Sequence, residues 1–287
     1  MLEARLSQAA LLKKVLDSVR ELVTDVNFDC SEEGIRMQAM DNSHVALSAI
    51  EIRAEGFDPY RCDRPMSIGM SVAALTKILK TAANEDVLTI KKDDDGDSLG
   101  LIFEDSKTDR VAEFDMKLMD IDSEHLGIPD TSYDAVIRLS SAEFARITRD
   151  LSNVGDSVRI SVSKEGVSFS AEGDIGKANL TLKQGSGTAA NVDDEEESED
   201  DEPKKKKRKG GASGSKDDET VPVRIEMQQS VSLTFSLKYL MNFSKASPLS
   251  REVALHMSNE VPLLCEFAFD DGFVRFYLAP KLDDGDE

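Results

Sequence analysis

The chain has 287 residues, 40% hydrophobic and 32% charged, with 35 Lys and Arg against 56 Asp and Glu for a formal net charge of -21. That length buries one large core or two ordinary ones, and no apolar run approaches the roughly 18 residues of a membrane span, so a soluble protein with no membrane partner is expected. The start, "MLEARLSQAALLKK", lacks the marks of a secretory signal, and three scattered cysteines, Cys30, Cys62 and Cys265, fit reduced thiols in a cytosolic or nuclear protein.

In chain order, the first predicted element is the helical stretch "LSQAALLKKVL" from Leu6, and it is the first of four. "MSVAALTKILK" follows from Met70, "LSSAEFARITR" from Leu139 and "FSLKYLMNFSK" from Phe235. Each places an apolar residue before a serine, Ser7, Ser71, Ser140 or Ser236, which reads as an N-cap. Four residues on stand Leu11, Leu75, Phe144 and Leu240, the spacing of a hydrophobic staple. The repeats lie 64, 69 and 96 residues apart, and the last spacing falls to 61 without the 35 residues of 185–219. After the helices come alternating segments: "DVLTIKK", "SLGLIFED", "VRISVS", "GVSFSAEGD", "KANLTLK" and "EVALHMS". Alternation at period two predicts half-buried antiparallel strands. The fold expected is α+β: two similar domains, each of two helix-plus-strands units. Residues 1–117 form the first domain, 118–135 a connector, and 136–287 the second.

Residues 185–219, "GSGTAANVDDEEESEDDEPKKKKRKGGASGSKDDE", hold 12 acidic and 7 basic side chains and almost nothing apolar, so a disordered insertion is expected. The flanks, "GKANLTLKQ" and "VPVRIEM", read as the two arms of a hairpin. Within the insertion a proline precedes Lys204, Lys205, Lys206, Lys207, Arg208 and Lys209, the pattern of a nuclear localisation signal. An auxiliary nucleic-acid or partner contact is the other reading of that run.

The rest of the chain is also acidic, with 44 acidic and 28 basic residues, yet its repeated helices are selectively basic. At 100° per residue, Lys77 and Lys80 fall opposite Leu75; Arg146 and Arg149 take the same two positions in the third helix, and Asn242 and Lys245 in the fourth. Lys13, Lys14 and Arg20 stand off the apolar stripe of the first. One basic helix face is ordinary solvated surface. Basic faces that recur at equivalent repeat positions, less regularly in the first helix, point to a shared cationic surface, suited to phosphate contact that ignores sequence and weakens with salt.

"DDDGDSLGLIFE" reads as a hairpin turn, because its glycine is misplaced for a calcium loop. His44, His125 and His256 lack metal-ligand spacing, and no P-loop, GxGxxG or GxSxG motif occurs. No enzyme activity, cofactor or metal is expected. In the polar connector, Leu126, Ile128 and Pro129 are either staples to the domain beneath or part of an apolar groove for a partner peptide.

The segments "LKKVLDSVRELV", "MDNSHVAL", "EGFDPYRCDRPMSIGM", "LTKILK", "NEDVLTI", "MKLMDIDSEHLGIP", "EFARITRDLS", "VPLLCEF" and "FYLAPKL" resemble the proliferating cell nuclear antigen family of eukaryotic DNA sliding clamps. The resemblance covers the chain apart from 185–219. It implies a nuclear, homotrimeric ring of the DNA-clamp fold, with helices lining a channel for double-stranded DNA. The implied channel cations are Lys13, Lys14, Arg20, Lys77, Lys80, Arg110, Arg146, Arg149, Lys238 and Lys245, with Arg61 and Arg64 in a signature DNA-binding segment. The implied groove for PIP-box peptides uses Met40, His44, Val45, Leu47, Leu126, Ile128, Pro262, Tyr277, Ala279, Pro280 and Leu282. DNA polymerases, flap endonuclease, DNA ligase and the clamp loader are the implied partners. Lys164 matches a ubiquitin-accepting lysine, and "DRVAEFDMK" is expected to pair with "DIGKANLTLK" of a neighbouring subunit. The alternative is a subunit of a heteromeric checkpoint-type clamp acting as a scaffold.

Overall fold

The computed structural model describes residues 1–105, 107–122, 126–127, 131–184, 221–259 and 261–281. Among them are three antiparallel sheets. The five-stranded one runs β5 (Tyr60–Cys62), β1 (Leu2–Leu6), β7 (Val87–Lys92), β8 (Ser98–Asp105), β9 (Arg110–Lys117). The four-stranded one runs β13 (Gly176–Leu182), β12 (Gly166–Gly173), β11 (Ser157–Ser163), β15 (Val231–Ser236). The third has nine strands: β14 (Arg224–Met227), β10 (Ala135–Ser140), β16 (Glu252–Met257), β17 (Leu263–Phe269), β18 (Gly272–Leu278), β4 (Ala46–Arg53), β3 (Gly34–Met40), β2 (Asp25–Ser31), β6 (Met66–Ser71). All the alternating segments are strands, and "DDDGD" is the turn between β7 and β8.

The nine-stranded sheet joins the two halves of the chain, because β18 pairs with β4 from Gly272↔Ile52 to Leu278↔Ala46. On β18, Val274, Phe276 and Leu278 point into the core and are fully buried, while Phe273, Arg275 and Tyr277 face outward. Phe276 stacks on Phe243 at 4.5 Å between ring centroids and meets Phe267 edge-on at 6.2 Å. Such aromatic pairs add about 0.5–1.5 kcal/mol beyond the area they bury.

The four helices are α1 (Ala10–Val19), α2 (Val72–Leu79), α3 (Ser141–Ser152) and α4 (Leu237–Phe243). Helices α2, α3 and α4 begin where the serine pattern places them, each directly after a strand, with Met70, Leu139 and Phe235 buried beside Leu75, Phe144 and Leu240. The first helix does not. It starts at Ala10 behind Ala9, and Ser7 is exposed outside it, which corrects the expected cap. None of the other three serines bonds the helix through its hydroxyl.

A backbone carbonyl just before another strand meets the first helical N–H instead. Val72 donates to Thr24 O at 2.9 Å, Ser141 to Arg251 O at 2.9 Å and Leu237 to Asp156 O at 3.0 Å. At the first helix, Ala9 and Ala10 donate to Asp86 O at 2.7 Å and Asn84 O at 3.1 Å, just ahead of β7. The first of the orphan donors at each helix start is thus satisfied by tertiary contact, and the fourfold repeat persists at that level.

A second correction concerns the insertion. Strands β13 and β14 do not form a hairpin: β13 pairs with β12 and β14 with β10, in different sheets. The insertion's own residues lie outside those described.

Candidate functional site

Helix α2 packs on α1, α1 on α4, and α3 on α4, with the 3-10 turn Ser244–Leu249 touching α1, α3 and α4. The helices therefore stand in a row, α2–α1–α4–α3. Their apolar sides are buried, as Leu12, Val15, Leu75, Leu79, Phe144, Ile147 and Leu240 show. That leaves Lys14, Arg20, Lys77, Lys80, Arg146, Arg149, Lys238 and Lys245 exposed. Lys245 rides on the 3-10 turn, not on α4 itself. Lys13 is half-buried and donates to Asn84 Oδ1 at 3.2 Å.

Some of these cations have acidic neighbours. Arg146 meets Glu143 at 2.9 Å, Arg20 meets Asp17 at 3.3 Å, and Lys245 meets Glu21 at 3.9 Å. Exposed pairs of this kind are worth about 0–1 kcal/mol, so a phosphate displaces them readily. Lys14, Lys77, Lys80 and Lys238 make no ion pair among the described residues. Arg20, Lys77 and Lys80 converge on a cleft of about 570 Å³ between the end of α1 and α2.

Three predicted cations stand elsewhere. Arg61 lies on edge strand β5 and is held by Asp63 at 2.7 and 3.1 Å; Arg64 follows it and is held by Asp94 at 3.1 Å. Arg110 opens strand β9. None of the three is on the helix row.

The second cluster lies on the outward face of the nine-stranded sheet. Residues directly opposite in adjacent strands share a face. Met40 opposes Leu47, and Leu47 opposes Tyr277, so three predicted groove residues from distant segments form one row. Val45 is 36% exposed and accepts a hydrogen bond from Ala279 N–H at 3.3 Å; His44 sits beside it at φ 55°. Pairing of Leu263 with Leu278 brings Pro262 beside Ala279 and Pro280.

The connector crosses this face under restraint. Asn27 Nδ2 donates to Ile121 O at 2.9 Å, and Met119 bridges to Gly69. Gln38 donates to Leu126 O at 2.9 Å and accepts from Leu126 N–H at 3.1 Å, which leaves the Leu126 side chain 41% exposed. A Cβ at Gly69 would lie 2.2 Å from Met119 O, so only glycine admits the connector here.

The same row runs past Tyr277 to Leu264 and His256, and Tyr133 packs on His256 with ring centroids 5.2 Å apart. Sequence reasoning assigned none of these three to the groove. Leu264 was detectable as an apolar residue at an outward position of "VPLLCEF"; His256 and Tyr133 carry no local signal. Burial depresses the His256 pKa, with Arg138 and Arg275 adding to the shift against Glu266 and Glu226, so its ring is held neutral. Burial likewise raises Tyr277 and Tyr133.

Residues 1–125 match the family described as proliferating cell nuclear antigen, N-terminal domain, and residues 127–205 and 210–282 match its C-terminal domain. Over 285 residues the chain is 51% identical to the proliferating cell nuclear antigen of Chaetomium thermophilum, covering 99% of both proteins. The chain belongs to the proliferating cell nuclear antigen family. It is accordingly a non-enzymatic DNA sliding clamp that assembles as a trimeric ring and serves replication and repair.

Other residues expected of a proliferating cell nuclear antigen are placed as follows. Lys164 is exposed in the turn between β11 and β12. Strands β9 and β13 each end a sheet; Val111 on β9 is 58% exposed, and Ile175, in the turn just before β13, is 76% exposed. His125, Ile128, Pro129, Leu282 and the run from Lys204 to Lys209 lie outside the described residues. Cys30, Cys62 and Cys265 are free and buried, and burial pushes the Cys30 thiol up to about 12. No helix among the described residues is long and apolar enough to cross a membrane.

Proposed function

We propose that this sliding clamp holds double-stranded DNA against its helix row, through Lys13, Lys14, Arg20, Lys77, Lys80, Arg146, Arg149, Lys238 and Lys245. The observation that carries this is the row itself: four helices side by side, apolar toward the sheets and basic toward solvent, in a chain with net charge -21. Cations on a smooth helical surface make phosphate contacts without base contacts, so the duplex is held without regard to sequence and slides. Ring closure supplies persistence, and the contacts supply only alignment. Arg61, Arg64 and Arg110 belong to the ring's flanks in this reading.

The outward face supplies the other half of the function. A groove floored by Met40, Leu47 and Tyr277 and walled by His44, Val45, Leu126, Pro262, Ala279 and Pro280, with Ile128 and Leu282 completing it, takes PIP-box peptides, whose short helical turn presents apolar and aromatic anchors. DNA polymerases, flap endonuclease, DNA ligase and the clamp loader dock there. Residues 118–135 act as the connector between domains 1–117 and 136–287. Open edges β9 and β13 of neighbouring subunits pair to close the ring. Lys164 is the modification site, and Lys204 to Lys209 direct the protein to the nucleus.

The native mass of the purified chain tests the ring. Three times the chain's own mass is expected, and a monomer at about micromolar concentration points to the heteromeric alternative. A fluorescent fusion without Lys204 to Lys209 is expected to lose nuclear accumulation.

A further inference from the structure

The loop between β3 and β4, residues 41–45, forms one wall of the proposed groove, and a single buried carboxylate organises it. Asp41 is 7% exposed. Its two oxygens accept hydrogen bonds from the backbone N–H of Ser43 at 3.0 Å, Val45 at 2.8 Å and Ala46 at 2.7 Å. The fourth donor is not local. It is the hydroxyl of Tyr239, at 2.8 Å, on helix α4 and 198 positions along the chain.

The three amide bonds fold the loop tightly enough to set His44 at φ 55° and present Val45 outward. The amide bonds are all local and fasten the loop only to itself, at the end of the β3–β4 pair. The Tyr239 bond ties it to α4, a helix packed on α1, α3, β11 and β15. Burial pushes the Asp41 carboxyl up, but the bonds from Ala46, Tyr239, Ser43 and Val45 outweigh it and hold it below the usual carboxylate range. Burial and the same bond push the Tyr239 hydroxyl up, so it keeps its proton and donates. A hydrogen bond to a charged acceptor is among the stronger neutral-donor contacts, and losing it leaves a buried carboxylate one donor short.

A second tether runs in parallel. Ala279 N–H donates to Val45 O at 3.3 Å, and two residues on, Lys281 N–H donates to Thr234 O at 2.8 Å, in the strand that leads into α4. Both ends of the groove wall are thus fastened to the β15–α4 unit, which also bears the proposed DNA contact Lys238.

We propose that Tyr239 is a positioning residue for the partner groove, its hydroxyl fixing the Asp41 carboxylate and through it the place of Val45 on the groove wall. The assignment rests on the groove reading above. It makes the helix that faces DNA part of the mechanical support of the site that receives partners. Tyr239 touches no peptide itself.

The test compares Tyr239→Phe with Val45→Ala in the full-length trimer, using a fluorescent synthetic PIP-box peptide. Tyr239→Phe is expected to weaken peptide binding about tenfold. The Val45 and Ala46 amides should exchange hydrogen faster while amides of β17 and β12 keep their protection, a local signature that general loss of stability would not give. Val45→Ala is expected to weaken binding too, by removing a wall contact. If Val45→Ala leaves affinity unchanged, the groove reading itself fails. If Val45→Ala weakens binding while Tyr239→Phe alters neither affinity nor exchange at Val45 and Ala46, Tyr239 is only a packing residue and the inference is overturned. Should Tyr239→Phe not fold, Asp41→Asn keeps the shape and removes the charged acceptor; full affinity in that variant overturns the inference equally.

Discussion

Lys77, Lys80, Arg146 and Arg149 stand exposed on helices whose opposite sides are core, and each owes its place to the turn of its own helix. Met40, Leu47 and Tyr277 come from opposite ends of the chain and meet only because β3, β4 and β18 pair in one register. A cationic surface tolerates small displacements, since phosphate attraction falls off gradually and side chains are long. A groove does not, because a slip of one residue turns every side chain to the other face of the sheet. The helix row is therefore a matter of charge and the outward face of the sheet a matter of position, and the two are expected to respond oppositely to mutation and salt.

The largest effect expected separates them outright. Reversing Lys77, Lys80, Arg146 and Arg149 together to Glu should abolish polymerase stimulation while leaving the trimer and PIP-box peptide affinity intact. Unchanged stimulation would place DNA elsewhere than on the helix row. Reversal adds repulsion to lost attraction, so the salt dependence of loading should collapse as well.

Next is Gly69→Ala. With Met119 O only 2.2 Å from the new Cβ, the connector must shift or β6 must yield, at a cost on the order of 2 kcal/mol or more. Thermal unfolding reads that cost, and peptide affinity should fall with it. A variant with full stability and full affinity would show that the strap does not position the groove. Leu126→Ala comes third: peptide binding should weaken about tenfold with no loss of stability, since the side chain is exposed and Gln38 holds the backbone. Unaltered affinity would make Leu126 a plain linker residue.

The smallest effect concerns acid. His256 is depressed in the folded state, so the unfolded chain binds its proton first, and stability falls as pH drops below the unfolded histidine value of about 6.5. Asp41 is also depressed; its contribution is present above the unfolded carboxylate value of about 3.9 and is lost as pH falls through the lower folded value. Denaturant titrations across pH should show the first window vanish in His256→Gln, with the second unchanged. A slope that persists between about pH 6.5 and 5 would assign it to other groups.

The helix row was legible because its signals are local. The staple residues Met70 and Leu75, or Leu139 and Phe144, are five apart, and the cations follow at fixed angles. The groove was legible only through resemblance. Alternation says that Leu47 and Tyr277 face outward, but nothing in either segment says that they are neighbours. The hairpin expected of β13 and β14 failed for the same reason: two adjacent β segments do not name their partners, and here each found a strand in a different sheet. Ser7 failed because three of its peers were right for a reason other than the hydroxyl, namely the carbonyls of Thr24, Arg251 and Asp156.

By itself the sequence determined that four helices exist, that six alternating segments are strands, which face of each is apolar, and that basic residues gather on the helices, since all of these depend on spacing within one segment. Tertiary structure decided that β18 and β4 fuse the two halves, that Asn27, Gln38 and Gly69 strap the connector to the sheet, and that Tyr239 reaches Asp41. Those contacts join segments far apart in the chain, as the pairing of Leu278 with Ala46 illustrates. Each is a hydrogen bond or a close approach whose partner exists only once the chain has closed on itself.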